Sequence, residues 1–309
     1  MYSGWIVKWR LNRKLTPEEK ASVLPRQGLL GVKADDRGTL TAFNSTYAEL
    51  VDRRFRLRGG FGALLAVAIT IFFVGACVFV WIAVPNYSSD YFIGNVILTL
   101  AFLGGAALFW LVYIRKDFFT HTYYPVRFNR KTRQVHVFRD KRDGGILTVP
   151  WDTGFFHIGQ GLRDKRLLDL RCHVLDGETV KDTFVTGMYY LQKEQVQQLW
   201  EFVRHYMDED IDSLGKVEVW TSPAPTWKNC RIMVGVTFGG LSGLSAILWP
   251  LAAPIILTRW LVMKSCKLPQ WPAEIEAACR IEPNDPHRLP EPEYIGQFAV
   301  EREMAKASH

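Results

Sequence analysis

Three stretches of this 309-residue chain contain no aspartate, glutamate, lysine or arginine: Phe61–Val84, Phe92–Ile114 and Ile232–Thr258. For the first two, that absence excludes an ordinary soluble helix, which keeps one polar face. A helix rises about 1.5 Å per residue, so some 20 apolar residues cross a hydrocarbon core of about 30 Å, and both early stretches are long enough. The lack of charge inside them also removes the usual marker of an ion path or proton relay, which argues against a transporter. A cleavable signal peptide is not expected either, because the first apolar stretch follows a polar leader of about sixty residues. Cysteine is scarce: Cys77, Cys172, Cys230, Cys266 and Cys279 form no CxxC pair. Neither a disulfide framework nor a cysteine zinc site is indicated, and scattered reduced cysteines fit a cytoplasmic setting.

Recognisable catalytic sets are missing too. Cys172 and His173 are neighbours, but adjacent strand residues point to opposite faces. "DEDID" (Asp208–Asp212) lacks the glycine and closing glutamate of a calcium loop. His121, His136, His157 and His205 are scattered along the chain, and neither "GLLGVKADDRG" nor "GQGLRDKR" has the spacing of a nucleotide-binding loop. The expectation is a non-enzymatic protein with no cofactor and no metal.

What is present is segregated. The net charge is +7, with basic residues outnumbering acidic ones in the leader, which ends in "DRRFRLRGG" against the first apolar stretch. Arg53, Arg54, Arg56 and Arg58 at a helix start fit a cytoplasmic flank that meets anionic headgroups rather than nucleic acid. The link "PNYSSDY" (Pro85–Tyr91) has no basic residue, whereas Arg115 and Lys116 follow the second stretch. The positive-inside bias then predicts a transmembrane hairpin over 61–114 with a short outer turn, Trp81, Tyr87, Tyr91 and Phe92 belting that side and Trp110 and Tyr113 the other.

From 115 to 229 the pattern changes to short alternating runs. "QVHVFRD", "ILTVPWDTGFFHIG" and "LLDLRCHVLDGETVKDTFVTG" predict half-buried strands, turned at Asp143-Gly144 and Asp176-Gly177. Leu191, Val196, Leu199, Phe202, Val203 and Tyr206 then form one helical stripe. About six strands followed by one helix are predicted, with Trp151 and Trp200 in the core and Asp152 capping a turn. "RDKR" (Arg163–Arg166) is a basic loop, and Arg163, Lys165 and Arg166 are candidate anionic-lipid contacts.

Strands closed by a C-terminal helix, with the step "VPW" (Val149–Trp151), resemble the pleckstrin-homology-like barrel of bacterial membrane proteins. "VPWDTGFFHIG", "DGETVKDTFVTG" and "LWEFVRHYMDED" also resemble an uncharacterised family of bacterial inner-membrane proteins met beside type VI secretion effector genes. That resemblance implies an immunity or accessory protein whose partner is a toxin effector or a secretion component. The other function class is a lipid-sensing regulatory protein working through its basic loops.

The third uncharged stretch carries two features. Gly235, Gly239 and Gly243 stack on one helical face, a seam for close packing against the hairpin or a second copy of the chain. Trp249, Pro250 and Pro254 lie in "ILWPLAAPII". The 230–263 segment is about 32 residues where the run is mostly apolar, too long for one straight crossing and too short for two. A helix that enters, turns at "WPLAAP" and returns leaves the polar, proline-rich tail 264–309 cytoplasmic; a single span places it outside. The expected whole is an α+β membrane protein: leader 1–60, hairpin 61–114, cytoplasmic barrel 115–229, proline-broken membrane segment 230–263 and tail 264–309.

Overall fold

The computed structural model describes residues 9–28, 30–83, 89–112, 114–161, 164–237 and 245–307. In chain order the leader gives β1 (Arg13–Lys14), α1 (Pro17–Ala21), β2 (Leu40–Phe43) and β3 (Tyr47–Leu50), and the long helices α2 (Phe61–Ala83) and α3 (Ser89–Val112) follow. Next come β4 (Val126–Asn129), β5 (Gln134–Val137), β6 (Leu147–Pro150), β7 (Phe155–Gln160), β8 (Leu168–Asp176), β9 (Thr179–Tyr190) and α4 (Lys193–Asp208). The chain ends with α5 (Trp227–Thr237), α6 (Ser245–Ser265), α7 (Ala273–Ala278) and α8 (Gln297–Ala307). The protein is mixed α+β and divides into two compact units: Met1–Arg56 with Tyr123–Ala224 and Leu268–His309, and Leu57–Thr122 with Pro225–Lys267.

In the first unit the predicted order of six strands and one helix is present as β4 to β9 and α4. The strands form two antiparallel sheets, ordered β1-β9-β8-β7 and β2-β3-β4-β5-β6. Among the described residues neither closes into a barrel. The change of sheet falls at Pro150, which ends β6, and at the 3-10 turn Trp151–Thr153, after which β7 pairs elsewhere. Gly144 (φ 94°) and Gly177 (φ 58°) occupy the predicted turns, where a left-handed backbone favours glycine.

The core follows from aromatic burial. Trp151 and Trp200 are fully buried and stack at 5.6 Å and 25°, with Phe156 5.0 Å from each ring. Trp151 Nε1 donates to Asp208 at 2.9 Å, satisfying the one polar atom that such burial would strand. Val196, Leu199, Phe202, Val203 and Tyr206 bury one face of α4, whereas Leu191 is 71% exposed and precedes the helix. Asp152 binds Arg133 across 2.9 Å rather than capping its own turn.

Leader and tail are structural parts of this unit, not appendages of it. β1 pairs with β9, and β2 and β3 extend the sheet beyond β4. The tail returns to the same sheet: Ser45 N–H donates to Asp285 at 2.8 Å, Leu289 N–H to Phe43 C=O at 3.0 Å, and Asn129 Nδ2 to Ala278 C=O at 2.8 Å.

In the second unit α2 and α3 are 23 and 24 residues long and are long and apolar enough to cross a membrane. They run antiparallel, because Phe73 meets Phe102 while Trp81 meets Phe92 and donates from Nε1 to Thr99 at 2.9 Å. Most of the expected outer turn (residues 85–88, with Tyr87) and Tyr113 lie outside the described residues.

The third apolar segment departs from expectation. α6 runs unbroken through Trp249, Pro250 and Pro254, so the chain does not reverse at "WPLAAP". Each proline removes one ladder bond, its own N–H to the carbonyl four residues before, and that single loss does not reverse this helix; Thr258 Oγ1 separately donates back to the Pro254 carbonyl at 2.8 Å. Trp227 at the start of α5 meets Trp260 near the end of α6, at 6.0 Å, so the two helices are antiparallel. At 11 residues α5 is about 16 Å long, half the thickness of a hydrocarbon core. Gly235 lies on α5, and a methyl group there would meet nothing within 4 Å among the described residues; Gly239 and Gly243 lie outside them.

Candidate functional site

The basic residues at the start of α2 are not equivalent. Arg58 is fully buried and donates to Thr120 Oγ1 at 2.9 Å and to the His121 carbonyl at 2.7 Å. Its own carbonyl accepts from Arg259 at 2.5 Å, and Gly59 beside it has φ 64°. A methyl group at Gly59 would stand 2.7 Å from Arg259 Cα, so only glycine fits. Thr122 N–H donates to Lys267 C=O and Lys267 N–H to Thr120 C=O, both at 2.9 Å. The start of α2, the exit from α3, the start of α5 and the end of α6 therefore meet at one end of this unit.

Arg53, expected at headgroups, is buried in the first unit. It pairs with the fully buried Asp169 at 2.5 Å and lies over the Tyr189 ring at 4.1 Å. Arg171 shares the same carboxylate at 3.0 Å. Burial opposes ionisation of Asp169, but the two guanidiniums hold its carboxyl below the ordinary range. Arg54 and Arg56 are half-buried, Arg163 lies outside the described residues, and Lys165 and Arg166 are exposed, Arg166 in a fork with Asp164 at 2.9 Å. Of the lipid-contact candidates, then, Arg53 and Arg58 are held inside the protein and Lys165 and Arg166 face outward.

One cluster was not legible from the sequence. β7 and β8 pair Phe155 with His173 and His157 with Arg171, which puts His157 and His173 diagonally opposite on one face. Their rings lie 4.5 Å apart, and both are 1% exposed. Glu19, on α1, reaches them from the leader, with Oε1 3.1 Å from His173 Nε2. Arg13 grips both Glu19 oxygens at 2.6 and 2.7 Å, and Thr16 N–H donates to Oε2 at 3.0 Å. His173 Nδ1 meets Thr183 Oγ1 at 2.7 Å, whereas neither nitrogen of His157 has a hydrogen-bond partner among the described residues.

Protonation states follow from these contacts. Burial, then the His173 and Arg171 charges, push His157 down to about 3. Burial also lowers His173, against the pull of Glu19. For Glu19 burial works the other way, but bonds from Arg13 and Thr16 and the nearby His173 hold the carboxyl down to about 2. At neutral pH the cluster is one carboxylate beside two neutral imidazoles. Cys172, adjacent in sequence, faces the opposite side against the Trp151 layer, and burial raises its thiol far above the ordinary value. Cysteine and histidine are thus not a nucleophile and its base.

Taken together, these features define an α+β protein with two helices long and apolar enough to span a membrane and several buried charge pairs in its first unit. The chain belongs to a family of unknown function, DUF6708, whose profile matches residues 105–283, from within α3 to just past α7. No curated protein and no solved structure matches the chain.

Proposed function

We propose that this is a non-enzymatic bacterial inner-membrane protein, anchored through α2–α3 and α5–α6, that holds its first unit in the cytoplasm to bind a protein partner. The observation that carries it is the apolar exposure of the hairpin: Ile82 is 79% exposed, Phe72 70%, Phe79 68% and Leu108 64%. In water an apolar surface of that extent drives association, whereas in lipid it is solvated. The convergence of all four chain passages at one end of the second unit supports an even number of crossings, with leader, sheets and tail on one side. In this arrangement α5 enters as a half-length helix and the chain returns through α6.

The pleckstrin-homology-like reading of the two sheets and the α4 plug, and the role as a type VI immunity or accessory protein, rest on the resemblance of "VPWDTGFFHIG", "DGETVKDTFVTG" and "LWEFVRHYMDED". The partner in that role is a toxin effector or secretion component; nucleic acid is not a partner, and a second copy of the chain is a further candidate. Lipid sensing is the weaker reading, because Arg53 and Arg58 are engaged by protein groups and, among the described candidates, only Lys165 and Arg166 stand exposed. Deleting the gene and challenging the strain with effectors encoded beside it tests the proposal. Sensitisation rescued by the wild-type gene supports it, and survival of every challenge refutes the immunity role. Release of the protein by alkaline carbonate would refute membrane anchoring.

A further inference from the structure

We propose that Glu19, His157 and His173 form a binding site for a divalent zinc-type ion that pins the leader segment to the β7–β8 face. One potential ligand atom from each residue lies within 4.8 Å of the other two. A tetrahedral ion with bonds of about 2.0–2.1 Å needs neighbouring ligand atoms about 3.3 Å apart. The Glu19 Oε1 to His173 Nε2 separation of 3.1 Å already meets that need. The remaining closure falls to His157, a side chain that gives up no bond among the described residues by turning, since neither of its buried nitrogens has a partner there.

That orphaned imidazole is the second observation. A buried ring nitrogen without a partner carries a desolvation cost that a metal bond removes. The surroundings also supply outer contacts of the kind metal-bound groups use. With Nδ1–H donating to Thr183 Oγ1, His173 presents its Nε2 lone pair, and Glu19 Oε1 coordinates while Oε2 stays with Arg13 and the Thr16 amide. Binding requires no net loss of protons: the carboxylate is ionised, His157 is neutral, and His173 only moves its proton from Nε2 to Nδ1.

Two imidazoles and one carboxylate suit zinc and its first-row neighbours rather than magnesium or calcium, which take oxygen donors. Three protein ligands leave one position for water. The structural consequence is specific. Glu19 sits 138 and 154 residues from the two histidines along the chain (157 − 19 and 173 − 19), so the ion would add a cross-link from α1 to β7 and β8, beside the backbone bonds that the residues just after α1 make to β7, Leu24 N–H to Phe156 C=O at 2.9 Å and Ile158 N–H to Ser22 C=O at 3.0 Å.

The full-length protein in detergent, stripped with EDTA and dialysed, is titrated with Zn2+ by calorimetry, and Co2+ is added separately for its visible spectrum. The expected result is one ion per chain, a rise in Tm with Zn2+, and the intense visible bands of four- or five-coordinate cobalt. His157→Gln and His173→Gln should each weaken binding at least about 100-fold, and Thr183→Val about 10-fold, the size of an outer-contact loss. His136→Gln, which alters a buried histidine away from the cluster, should bind as wild type. Should either glutamine variant fail to fold, the cobalt spectrum of the Thr183→Val protein, shifted from wild type, still reports on the cluster. Absence of stoichiometric binding by wild type overturns the proposal. So does binding that survives in the His157→Gln/His173→Gln double variant, or an octahedral cobalt spectrum unchanged by Thr183→Val. These results leave the membrane and partner-binding reading untouched, because the gene-deletion challenge tests that separately.

Discussion

Replacing Glu49 with alanine should cost about 3–5 kcal/mol, the range for breaking a buried ion pair by removing one partner. Glu49 is 5% exposed and is the hub of a polar knot under the leader strand. It accepts from Arg127 Nε at 2.9 Å, Tyr123 Oη at 3.0 Å, Trp271 Nε1 at 3.0 Å and Thr41 Oγ1 at 3.3 Å. Without it, Arg127 keeps one carboxylate neighbour among the described residues, the half-exposed Glu276 at 3.4 Å, while remaining buried between the Tyr47 and Trp271 rings. A domain of ordinary stability holds about 5–15 kcal/mol in all, so the loss is a large part of the total. Trp271 belongs to the tail, which predicts a second effect: residues 268–309 should become protease-sensitive at temperatures where the wild type resists. Denaturant unfolding followed by tryptophan fluorescence measures the first, and timed trypsin digestion with mass spectrometry measures the second. Glu49→Ala with Arg127→Met should be less damaging than the sum of the single changes, because no buried charge is then orphaned. A loss below about 1 kcal/mol with an intact tail would refute the reasoning, since it would mean that this knot carries no stabilising charge pairing.

Gly59→Ala forces a methyl group to 2.7 Å from Arg259 Cα at a left-handed backbone position, and should cost at least about 1–2 kcal/mol, read as a lower Tm of the protein in detergent. Acid should destabilise the first unit through His157. Its folded value of about 3 lies below the ordinary 6.5, so the unfolded chain binds the proton first and stability falls as pH drops from about 6.5 towards 3. Glu19, held at about 2, contributes stability above about 4.5 that disappears as pH falls towards 2. Measured in EDTA, His157→Gln should therefore flatten the stability curve between pH 6.5 and 4.5, and a curve as steep as wild type would contradict this. Trp200→Ala removes one half of the stacked core pair and should cost about 3–5 kcal/mol by the same denaturant assay.

Periodic features of the chain are legible in the sequence itself. The long uncharged runs form α2 and α3, the alternation with Asp143-Gly144 and Asp176-Gly177 forms β5 to β9, and the stripe from Val196 to Tyr206 forms the buried face of α4. What is not legible depends on partners distant in sequence. β1, β2 and β3 are two to four residues long and carry no flanking turn signal of the Asp-Gly kind; β1 exists because β9 pairs with it, β3 because β4 does, and β2 adds to β3. Arg53 looks like a surface charge until Asp169, 116 residues later, is brought against it. Likewise, His157 and His173 meet only once the register of β7 on β8 is known. The two prolines of α6 mislead for the opposite reason: their local rule is strong, yet the helix runs through both, each costing one ladder bond in a 21-residue element.

Central to the proposed function is that both membrane hairpins return to the side from which they enter, leaving leader, sheets and tail together. Fusing green fluorescent protein or alkaline phosphatase after His309, and phosphatase between α2 and α3, measures this in living cells. A fluorescent, phosphatase-inactive C terminus and an active phosphatase between α2 and α3 are expected. An active phosphatase at the C terminus would contradict the proposal, because the tail would then lie across the membrane from the sheet it packs against.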